Sequence, residues 1–337
     1  MTVYHRPIVQ TDAARSGGAL PLAGGAIWFD HVERIERGGP REIVPASELP
    51  ADVAERLTAP RADLAGMSMA RPQLMGVLNL TPDSFSDGGV FNAPDIALER
   101  AGAMVAEGAS ILDLGGESTR PGAETVPVDA EIERTVPIIR ALRDAGQTVP
   151  VSIDTRKAPV ARAALEAGAT LLNDVSAFSF DPEMAAVAAQ SGAPICLMHA
   201  QGDPATMQND PSYEDVLLDV YDFLKARLDH ALAAGIKREQ IILDPGIGFG
   251  KTVAHNLALI HGLSLFHALG CPILLGVSRK RFIGTLADVP LASERAPGSV
   301  AVGLEGLRQG VQILRAHDIK EHRQAILLWQ AILDHQQ

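Results

Sequence analysis

The chain has 337 residues, of which 47% are hydrophobic, and its formal net charge is -12 at pH 7. This excess of acid repels nucleic acid and anionic membrane surfaces, which excludes both as general partners. The sequence has no apolar run of the roughly eighteen residues that a membrane span needs and no secretion signal at its start, so we expect a cytoplasmic protein. Its length suits one large α/β domain.

Residues 1–72 differ in pattern from the rest of the chain, because glycine recurs through them without a strand and helix repeat. The segments 26–35 and 41–44 flank a Gly-Gly-Pro turn, which predicts a β-hairpin. Residues 51–57 predict a short helix. We therefore divide the chain into an N-terminal extension, residues 1–72, and a main domain, residues 73–337. The extension is expected to cover one end of that domain.

From residue 73 onward, apolar strand-like runs alternate with helical patterns. The runs occupy residues 74–78, 110–114, 149–153, 170–172, 194–198, 241–243, 272–275 and 311–314. The helical patterns occupy residues 94–107, 129–145, 158–167, 182–190, 213–234, 254–269, 293–309 and 319–333. Such a series, with strands that are apolar throughout, predicts a closed parallel (β/α)8 TIM barrel. An open doubly wound sheet is the alternative.

Polar residues follow the strand-like runs, and the first run ends at Asn79 before a long polar loop. Chemistry in parallel barrels gathers at the carboxyl ends of the strands. The residues at those ends are Asn79, Asp113, Asp154, Asn173, Asp174, His199, Asp244, Ser278, Arg279, Lys280, Arg315 and His317. Some ends carry acids and amides while others carry bases, which indicates one ligand with an amide-like part and an anionic part.

Asp154, Asn173 and Asp244 end strands that we expect to be buried on both faces. A buried carboxylate without a donor is costly, so each acid needs a partner. The 2-amino-4-oxo pyrimidine edge of guanine or of a pterin offers two parallel N–H donors that a carboxylate accepts, and an amide matches the mixed edge. Hydrogen bonds within the barrel are the alternative for each residue taken singly.

A second group of residues beyond the strands suits an anion. It comprises Thr119, Arg120, Ser278, Arg279, Lys280, Arg315 and His317. Guanidinium groups bind phosphate and can stack on a flat heterocycle. Arg315 and His317 are two residues apart on a strand-like run and should point the same way. Surface charges paired with acids are the alternative, and we accept it for Arg281 and Arg295.

Other kinds of site are excluded by residue spacing. Glycines within 246–250 precede Lys251, but a P-loop needs its first glycine where Pro245 stands, and the dinucleotide-binding pattern fails as well. No cluster of Cys and His suits zinc, and no serine lies in a nucleophile elbow. Cys196 and Cys271 lie in or beside apolar runs, so we expect reduced, buried thiols.

Eight motifs occur in the order and spacing of one enzyme family: NLTPDSFSDGG, GGESTRPGA, SIDTRK, LLNDVSA, CLMHAQGDPATMQ, LDPGIGFGK, GVSRKRFIG and RAHDI. On these motifs, residues 73–333 resemble the dihydropteroate synthase family of pterin-binding TIM barrels. The resemblance implies a transferase of folate biosynthesis that joins 6-hydroxymethyl-7,8-dihydropterin pyrophosphate to 4-aminobenzoate and releases pyrophosphate. It also implies Mg2+ as cofactor, inhibition by sulfonamides, and a homodimer formed through the outward faces of helices 293–309 and 319–333.

The resemblance implies roles for individual residues. The pterin would contact Asp154, Asn173, Met198, Asp244, Lys280 and Arg315. The pyrophosphate would contact Asn79, Thr119, Arg120, Arg315 and His317, and Asn79 would also ligate Mg2+. The aminobenzoate pocket would contain Phe85, Ser118, Thr119, Pro121, Phe249, Ser278 and Arg279. The catalytic residues would be Asp154, Lys280, Arg315, His317 and Asp87.

An arylamine is a weak nucleophile, which favours departure of the pyrophosphate before attack, an SN1-like substitution. Mg2+ and the basic residues would stabilise the leaving group, while Asp154 stabilises a cationic pterin. Asp87 is the candidate for orienting the amine. The alternatives are a corrinoid-dependent methyltetrahydrofolate methyltransferase and a non-catalytic pterin-binding protein. The first has no use for the basic anion site, and the second does not need Asn79.

Overall fold

The computed structural model describes residues 2–81, 93–118, 125–202 and 207–335. Predicted site residues outside these ranges keep their predicted roles; they are Phe85, Asp87, Thr119, Arg120 and Pro121. In the described part of the chain, no helix is long and apolar enough to cross a lipid bilayer.

The N-terminal extension contains two small antiparallel sheets and one helix. Its elements are β1 (Val3–Pro7), β2 (Leu20–Pro21), β3 (Trp28–Phe29), β4 (His31–Glu36), β5 (Arg41–Pro45) and α1 (Ala51–Thr58). Strands β4 and β5 form the predicted hairpin, and α1 is the predicted helix. Strand β1 adds to β4 as a third strand, and β3 pairs with β2 instead of continuing into the hairpin. The sequence did not predict these two pairings.

The main domain is built on parallel strands in which nearly every residue is buried. They are β6 (Gln73–Asn79), β7 (Ile111–Gly115), β8 (Val151–Asp154), β9 (Leu171–Asp174), β10 (Ile195–Met198), β11 (Ile241–Asp244), β12 (Leu274–Gly276) and β13 (Ile313–Ala316). Their order is β11-β10-β9-β8-β7-β6-β13-β12. A parallel bridge from Leu243 to Ile273 brings the two end strands together. The predicted (β/α)8 barrel is therefore confirmed.

Helices surround this barrel. They are α2 (Ala93–Glu107), α3 (Val128–Asp144), α4 (Ala158–Glu166), α5 (Met184–Ser191), α6 (Val216–Ala233), α7 (Val253–His261), α8 (Arg281–Ala287), α9 (Ala296–Arg308) and α10 (Ile319–His335). Short 3-10 helices occupy Ala46–Glu48, Arg238–Gln240, Leu263–Leu269 and Ala292–Glu294. On the outer face of α10, Leu327, Leu328 and Ile332 are exposed. The buried cysteines Cys196 and Cys271 are free thiols, as predicted.

Two predicted elements differ from the structure, and one helix was missed. The single helix predicted at 254–269 is split at Gly262, where a Cβ would lie 2.6 Å from the Leu217 side chain. The short helix α8 was not predicted. The strand predicted at 170–172 runs on through Asn173 to Asp174, because polar residues can continue a strand when the barrel supplies their partners.

The extension covers the amino end of the barrel and one of its flanking helices. Leu64, Met67 and Met69 pack on the apolar side chains inside the barrel, and we call these three residues the plug. On the flank, Arg37 donates to Asp219 at 2.6 Å and to Asp222 at 2.7 Å, both on α6. The amino end of the barrel is therefore closed by residues that lie before the first barrel strand.

Candidate active site

Two stacked layers of side chains fill the barrel, because residues two apart on a strand point to the same face. The lower layer is apolar and packs on the plug. It contains Met75, Ile111, Leu171, Cys196, Ile242, Leu274 and Ile313. Two residues further along the same strands come Val77, Asp113, Asn173, Met198, Asp244, Gly276 and Arg315. On β8, the corresponding residues are Ser152 in the lower layer and Asp154 in the upper layer, in register with Leu171 and Asn173. Most residues predicted to contact the pterin therefore belong to one upper layer.

Arg315 links two carboxylates in this upper layer. Its Nε donates to Asp113 Oδ2 at 2.6 Å, and its Nη2 donates to Asp154 Oδ2 at 2.9 Å. The Nδ2 of Asn173 donates to the same Asp113 oxygen at 3.2 Å. These side chains come from four different strands, so closure of the barrel brings acids, amide and base together. For Asp154, the internal partner that we kept as an alternative is present on one oxygen.

One oxygen of each carboxylate still lacks a partner. Asp113 Oδ1 and Asp154 Oδ1 are buried and accept no hydrogen bond from any described residue. A buried carboxylate oxygen without a donor costs free energy, about 1–3 kcal/mol or more for a charged group. Such an arrangement suits a ligand that brings N–H donors into the site. At Oδ1, Asp154 therefore has the free acceptor that its predicted ligand contact requires, and the contact itself stays a prediction.

The pKa values at this layer follow from burial above an apolar floor. Burial raises the pKa of Asp154 to about 7, against the opposing effect of Arg315. Burial also raises the pKa of Asp244 above its usual value. For Arg315, burial acts to lower the pKa, but Asp113 and Asp154 outweigh it and the pKa is raised. Arg315 is thus a permanent cation, whereas Asp154 can change its charge near neutral pH.

The loop after β11 joins the acids to an aromatic ring. Asp244 ends β11, and its Oδ1 accepts a hydrogen bond from the Gly246 amide at 2.7 Å. Lys280 donates to the Ile247 carbonyl and lies 4.1 Å from the centroid of the Phe249 ring, a cation–π contact. Burial lowers the pKa of Lys280 to about 7, and Asp244 opposes this shift. Residues predicted for the pterin and for aminobenzoate therefore meet at this loop.

The glycines of this loop are required by close packing. A Cβ on Gly246 would lie 1.8 Å from the His199 carbonyl oxygen, and one on Gly250 would lie 2.6 Å from the Gln201 carbonyl oxygen. Gly246 also has a φ of +67°, a left-handed conformation that glycine adopts without strain. The glycine pattern that resembles a P-loop therefore has a packing cause.

Ser278, Arg279 and His317 lie together beyond β12 and β13. His317 contacts the Ser278 hydroxyl through its backbone N–H at 3.1 Å and through Nδ1 at 3.0 Å. The Arg279 guanidinium is paired with Asp318, to which Nε donates at 3.1 Å. The predicted contact of Arg279 with aminobenzoate stays a prediction, as do the roles of Ser278 and His317. Arg295, which we expected to pair with acids, instead donates to backbone carbonyls such as Val289 O.

The remaining predicted residues lie on the same rim of the barrel. Asn79 is the last residue of β6 and is half-buried, in register with Gly115. Met198 is the buried last residue of β10, in register with Asp244. Ser118 follows β7 and is half-buried. Their substrate contacts stay predictions.

Asp113 is the member of this site to which the sequence analysis gave no role. It is fully buried and accepts hydrogen bonds from both Arg315 and Asn173. Alternation along the strand is the signal that could have found it, because Asp113 follows Ile111 at the same interval at which Asn173 follows Leu171. Both pairs point into the barrel.

A buried ion-pair cluster behind β8 was also missed. Lys157 donates to Glu117 and, at 2.6 Å, to Glu131. Glu117 also accepts a hydrogen bond from the Val126 amide at 2.9 Å. The cluster therefore holds the start of α3 close to the residues that follow β7. Sequence spacing gave no sign of it, because Lys157 lies 40 residues from Glu117.

The described residues contain no group of three or more His, Cys, Asp or Glu side chains that could hold a metal ion. Mg2+ commonly uses only one or two protein oxygens together with water and substrate phosphate. The side-chain oxygen of Asn79, at the carboxyl end of β6, is compatible with that kind of site.

Fold and site together define a class: a (β/α)8 barrel enzyme that binds a small polar ligand between buried acids, an amide and a fixed arginine. A family model described as pterin binding enzyme matches residues 75–317. Dihydropteroate synthase from Synechocystis sp. is 51% identical over 250 residues, which cover 74% of this chain and 86% of the relative. The Escherichia coli K12 enzyme of the same name is 43% identical over 79% of this chain and 94% of the relative.

Solved structures agree with these relatives. A dihydropteroate synthase of Xanthomonas albilineans with 4-aminobenzoic acid superposes with a TM-score of 0.76 at 42% identity, covering 81% of this chain and 98% of that one. A Yersinia pestis dihydropteroate synthase with a sulfonamide drug complex gives a TM-score of 0.75 at 44% identity, covering 80% and 96%. The chain therefore belongs to the dihydropteroate synthase family of pterin-binding enzymes, and it is a transferase.

Proposed function

We propose that this enzyme condenses 6-hydroxymethyl-7,8-dihydropterin pyrophosphate with 4-aminobenzoate to give 7,8-dihydropteroate and pyrophosphate. One arrangement carries this proposal: Asn173 and Arg315 both donate to Asp113, Arg315 also donates to Asp154, and each of the two acids keeps a buried oxygen without a partner. These two oxygens can accept further N–H donors, which the pyrimidine edge of a pterin would supply. The Xanthomonas albilineans enzyme has been solved in complex with 7,8-dihydropteroate, the expected product.

In this proposal the pterin lies on the upper layer. Asp154, Asn173 and Asp244 would accept from and donate to its pyrimidine edge, because carboxylates and amides match that mixed edge. Lys280 would donate to a ring acceptor, since its ammonium already lies over the site beside Phe249. The remaining residues of the group, Met198 and Arg315, would contact the faces of the ring.

The pyrophosphate would leave toward the cationic part of the rim. Arg315 is held by two carboxylates, so its charge is oriented before the substrate binds and needs no reorganisation during reaction. The other residues proposed for this anion are Asn79, Thr119, Arg120 and His317. Bound Mg2+, ligated by Asn79 and the substrate, would supply further neutralisation of the diphosphate charge.

We infer that the C–O bond loosens before the amine attacks. Positive charge then spreads over the pterin, where the Asp154 carboxylate stabilises it. The amine loses its proton after attack, so the reaction starts without a strong base. Asp87 is proposed to orient the amine.

Aminobenzoate would bind between the loop after β11 and the loops after β6 and β7. The proposed contacts are Phe85, Ser118, Thr119, Pro121, Phe249, Ser278 and Arg279. Phe249 supports this assignment, because its ring is partly exposed beside Lys280 at the edge of the proposed pterin site. Sulfonamides, which a relative binds, would compete for the same pocket.

We further propose a cytoplasmic homodimer. Free buried thiols suit a reducing compartment. The outer face of α10 carries the exposed side chains Leu327, Leu328 and Ile332, which a second copy could cover.

The test is to incubate the protein with the pterin pyrophosphate, 4-aminobenzoate and Mg2+ and to measure pyrophosphate release. We expect release that requires both the amine and the metal. Pterin binding without any release would contradict the proposal and favour a binding protein. Methyl transfer from methyltetrahydrofolate to a corrinoid would favour the methyltransferase.

A further inference from the structure

Lys251 is a buried lysine whose hydrogen bonds include no carboxylate, and burial lowers its pKa well below the usual value. Its Nζ contacts the Gly246 carbonyl at 2.8 Å, the Phe249 carbonyl at 2.9 Å and His199 Nδ1 at 2.8 Å. The Lys251 nitrogen has three positions for hydrogen bonds, whether it is charged or neutral, and these three partners occupy all of them. Lys251 therefore has no donor left for a substrate, and its role must lie in what it holds.

The segment that Lys251 holds connects three residues of the proposed site. Gly246, whose carbonyl Lys251 binds, donates its amide to Asp244. The Phe249 carbonyl is bound directly, which fixes the backbone from which the ring projects toward Lys280. One side chain behind the loop thus sets both ends of residues 246–249.

The loop has one backbone hydrogen bond of its own, from the Phe249 amide to the Gly246 carbonyl at 3.1 Å, and its glycines make further support from outside important. Gly246, Gly248 and Gly250 all have positive φ values. A side chain at Gly246 would collide with the His199 carbonyl. Glycine leaves the backbone many conformations, so bonds from outside the loop must offset much of the entropic cost of ordering it.

Other side chains bind the same loop from behind. The Gln208 side chain donates to the Gly248 carbonyl at 2.6 Å, and the Gly248 amide donates to Asn256 Oδ1 at 2.7 Å. The Tyr213 hydroxyl donates to the Gly250 carbonyl at 2.7 Å. Lys251 is distinct among these because it alone binds the carbonyl of Phe249.

His199 gives Lys251 a rigid anchor. Its backbone amide donates to the Asp244 carbonyl at 3.0 Å, which ties it to the end of β11. Its ring packs edge-on against Phe223, with 4.8 Å between centroids. Burial and the nearby Lys251 lower the pKa of His199 to about 2, so the ring is neutral and contacts Lys251 through Nδ1.

We propose that Lys251 is a positioning residue that sets the place of the Phe249 ring and thereby the affinity for the arylamine substrate. The inference rests on the proposed function, since it assigns aminobenzoate to Phe249. The pterin depends less on Lys251, because Asp154 and Asn173 are fixed by the sheet.

The experiment compares Lys251→Met with the wild type. We expect KM for aminobenzoate to rise about tenfold or more, because small displacements of substrate-positioning groups cost one to two orders of magnitude. KM for the pterin substrate should change by less than about threefold, the effect of losing a weak indirect contact. Phe249→Leu should give the same pattern. The matched control is Lys225→Met, an exposed lysine on α6, which should behave as wild type.

Hydrogen exchange of the Gly246 and Gly248 amides is the second measurement, and it does not depend on catalysis. These amides should exchange faster in Lys251→Met than in the wild type. If the wild type releases no pyrophosphate, the proposed function fails while the exchange result still tests the positioning. Unchanged exchange, or an equal rise in both KM values, would overturn the inference.

If Lys251→Met does not fold, Tyr213→Phe provides the test, since it removes only the hydroxyl that binds the loop. We expect KM for aminobenzoate to rise about two- to tenfold, the usual worth of one neutral hydrogen bond, with KM for the pterin unchanged. Identical KM values for Tyr213→Phe and the wild type would contradict the proposal that side-chain contacts to this loop set the affinity for the arylamine.

Discussion

The two inward layers of the barrel use the same strands for opposite purposes. On four strands an apolar residue is followed two positions later by a polar one; the pairs are Ile111 and Asp113, Leu171 and Asn173, Ile242 and Asp244, and Ile313 and Arg315. The lower layer packs on the plug. The upper layer holds charged groups joined by hydrogen bonds, and one buried oxygen of Asp113 has no partner.

On each of these strands, the residue expected to stabilise the fold and the residue expected to contact the substrate lie two positions apart. The apolar layer below offers these charged groups no hydrogen-bond partners, so they must bond to one another or to a ligand. The raised pKa of Asp154 is a direct result of that burial. Substitutions in the lower layer or the plug should therefore change unfolding, and substitutions in the upper layer should change activity.

The largest expected effect is that of Asp154→Asn. We expect kcat/KM to fall about a thousandfold, as when a preorganised electrostatic group is removed. Stability should not fall with it. Because the folded pKa of Asp154 is raised to about 7, its ionised form opposes folding as pH rises above the unfolded value, and Asn removes that cost at pH 8. Urea unfolding at pH 8 checks this, and a large loss of stability would contradict the comparison.

Met67→Ala should give the reverse pattern. Met67 belongs to the plug, and truncating a buried methionine costs about 2–5 kcal/mol of unfolding free energy. Activity measured below the unfolding transition should stay within about twofold of wild type, since the change lies beneath the apolar floor. A loss of kcat as large as that of Asp154→Asn would show that the layers are not separate.

Asp113→Asn sharpens the comparison within the upper layer. The variant keeps the shape but loses the charge that orients Arg315 and the acceptor shared with Asn173. We expect kcat/KM to fall about tenfold, because hydrogen bonds to charged groups are worth roughly 1.5–3 kcal/mol and one acceptor oxygen is kept. The fall should appear mostly in kcat. Activity equal to wild type would remove Asp113 from the site.

The smallest expected effect is the change of kcat/KM with pH near neutrality. Asp154 is needed as a carboxylate, so kcat/KM should fall as pH drops below about 7. Lys280 is needed as an ammonium, and because burial lowers its pKa to about 7, kcat/KM should also fall as pH rises above that value. Lys280→Arg should move the alkaline limb upward, since arginine stays protonated. An unchanged limb would exclude Lys280 as its source.

Much of the fold and the rim residues could be predicted because they follow a repeating local pattern. Apolar strands ending in polar groups marked Asp154, Asn173 and Asp244 before any contact was known. The link from Arg315 to Asp113 could not be predicted, because it joins residues 202 positions apart that meet only when the sheet closes. Strand β1 was missed for a similar reason, since its partner β4 lies in a separate segment.

Local patterns also failed where packing against distant residues accompanies a change in the backbone. The apolar pattern at 254–269 reads as one helix, but α7 ends before Gly262, which packs closely against Leu217, and a 3-10 helix follows. The role of Lys251 was hidden likewise, since its partners depend on how the glycine loop folds back.

Calorimetric titration of the pterin substrate into Asp154→Asn and Met67→Ala tests the central claim most directly. We expect wild-type affinity for folded Met67→Ala and a loss of about a hundredfold or more for Asp154→Asn, because in the proposed complex only the upper layer contacts the heterocycle. Equal affinities in the two variants, or weaker binding by Met67→Ala, would contradict it.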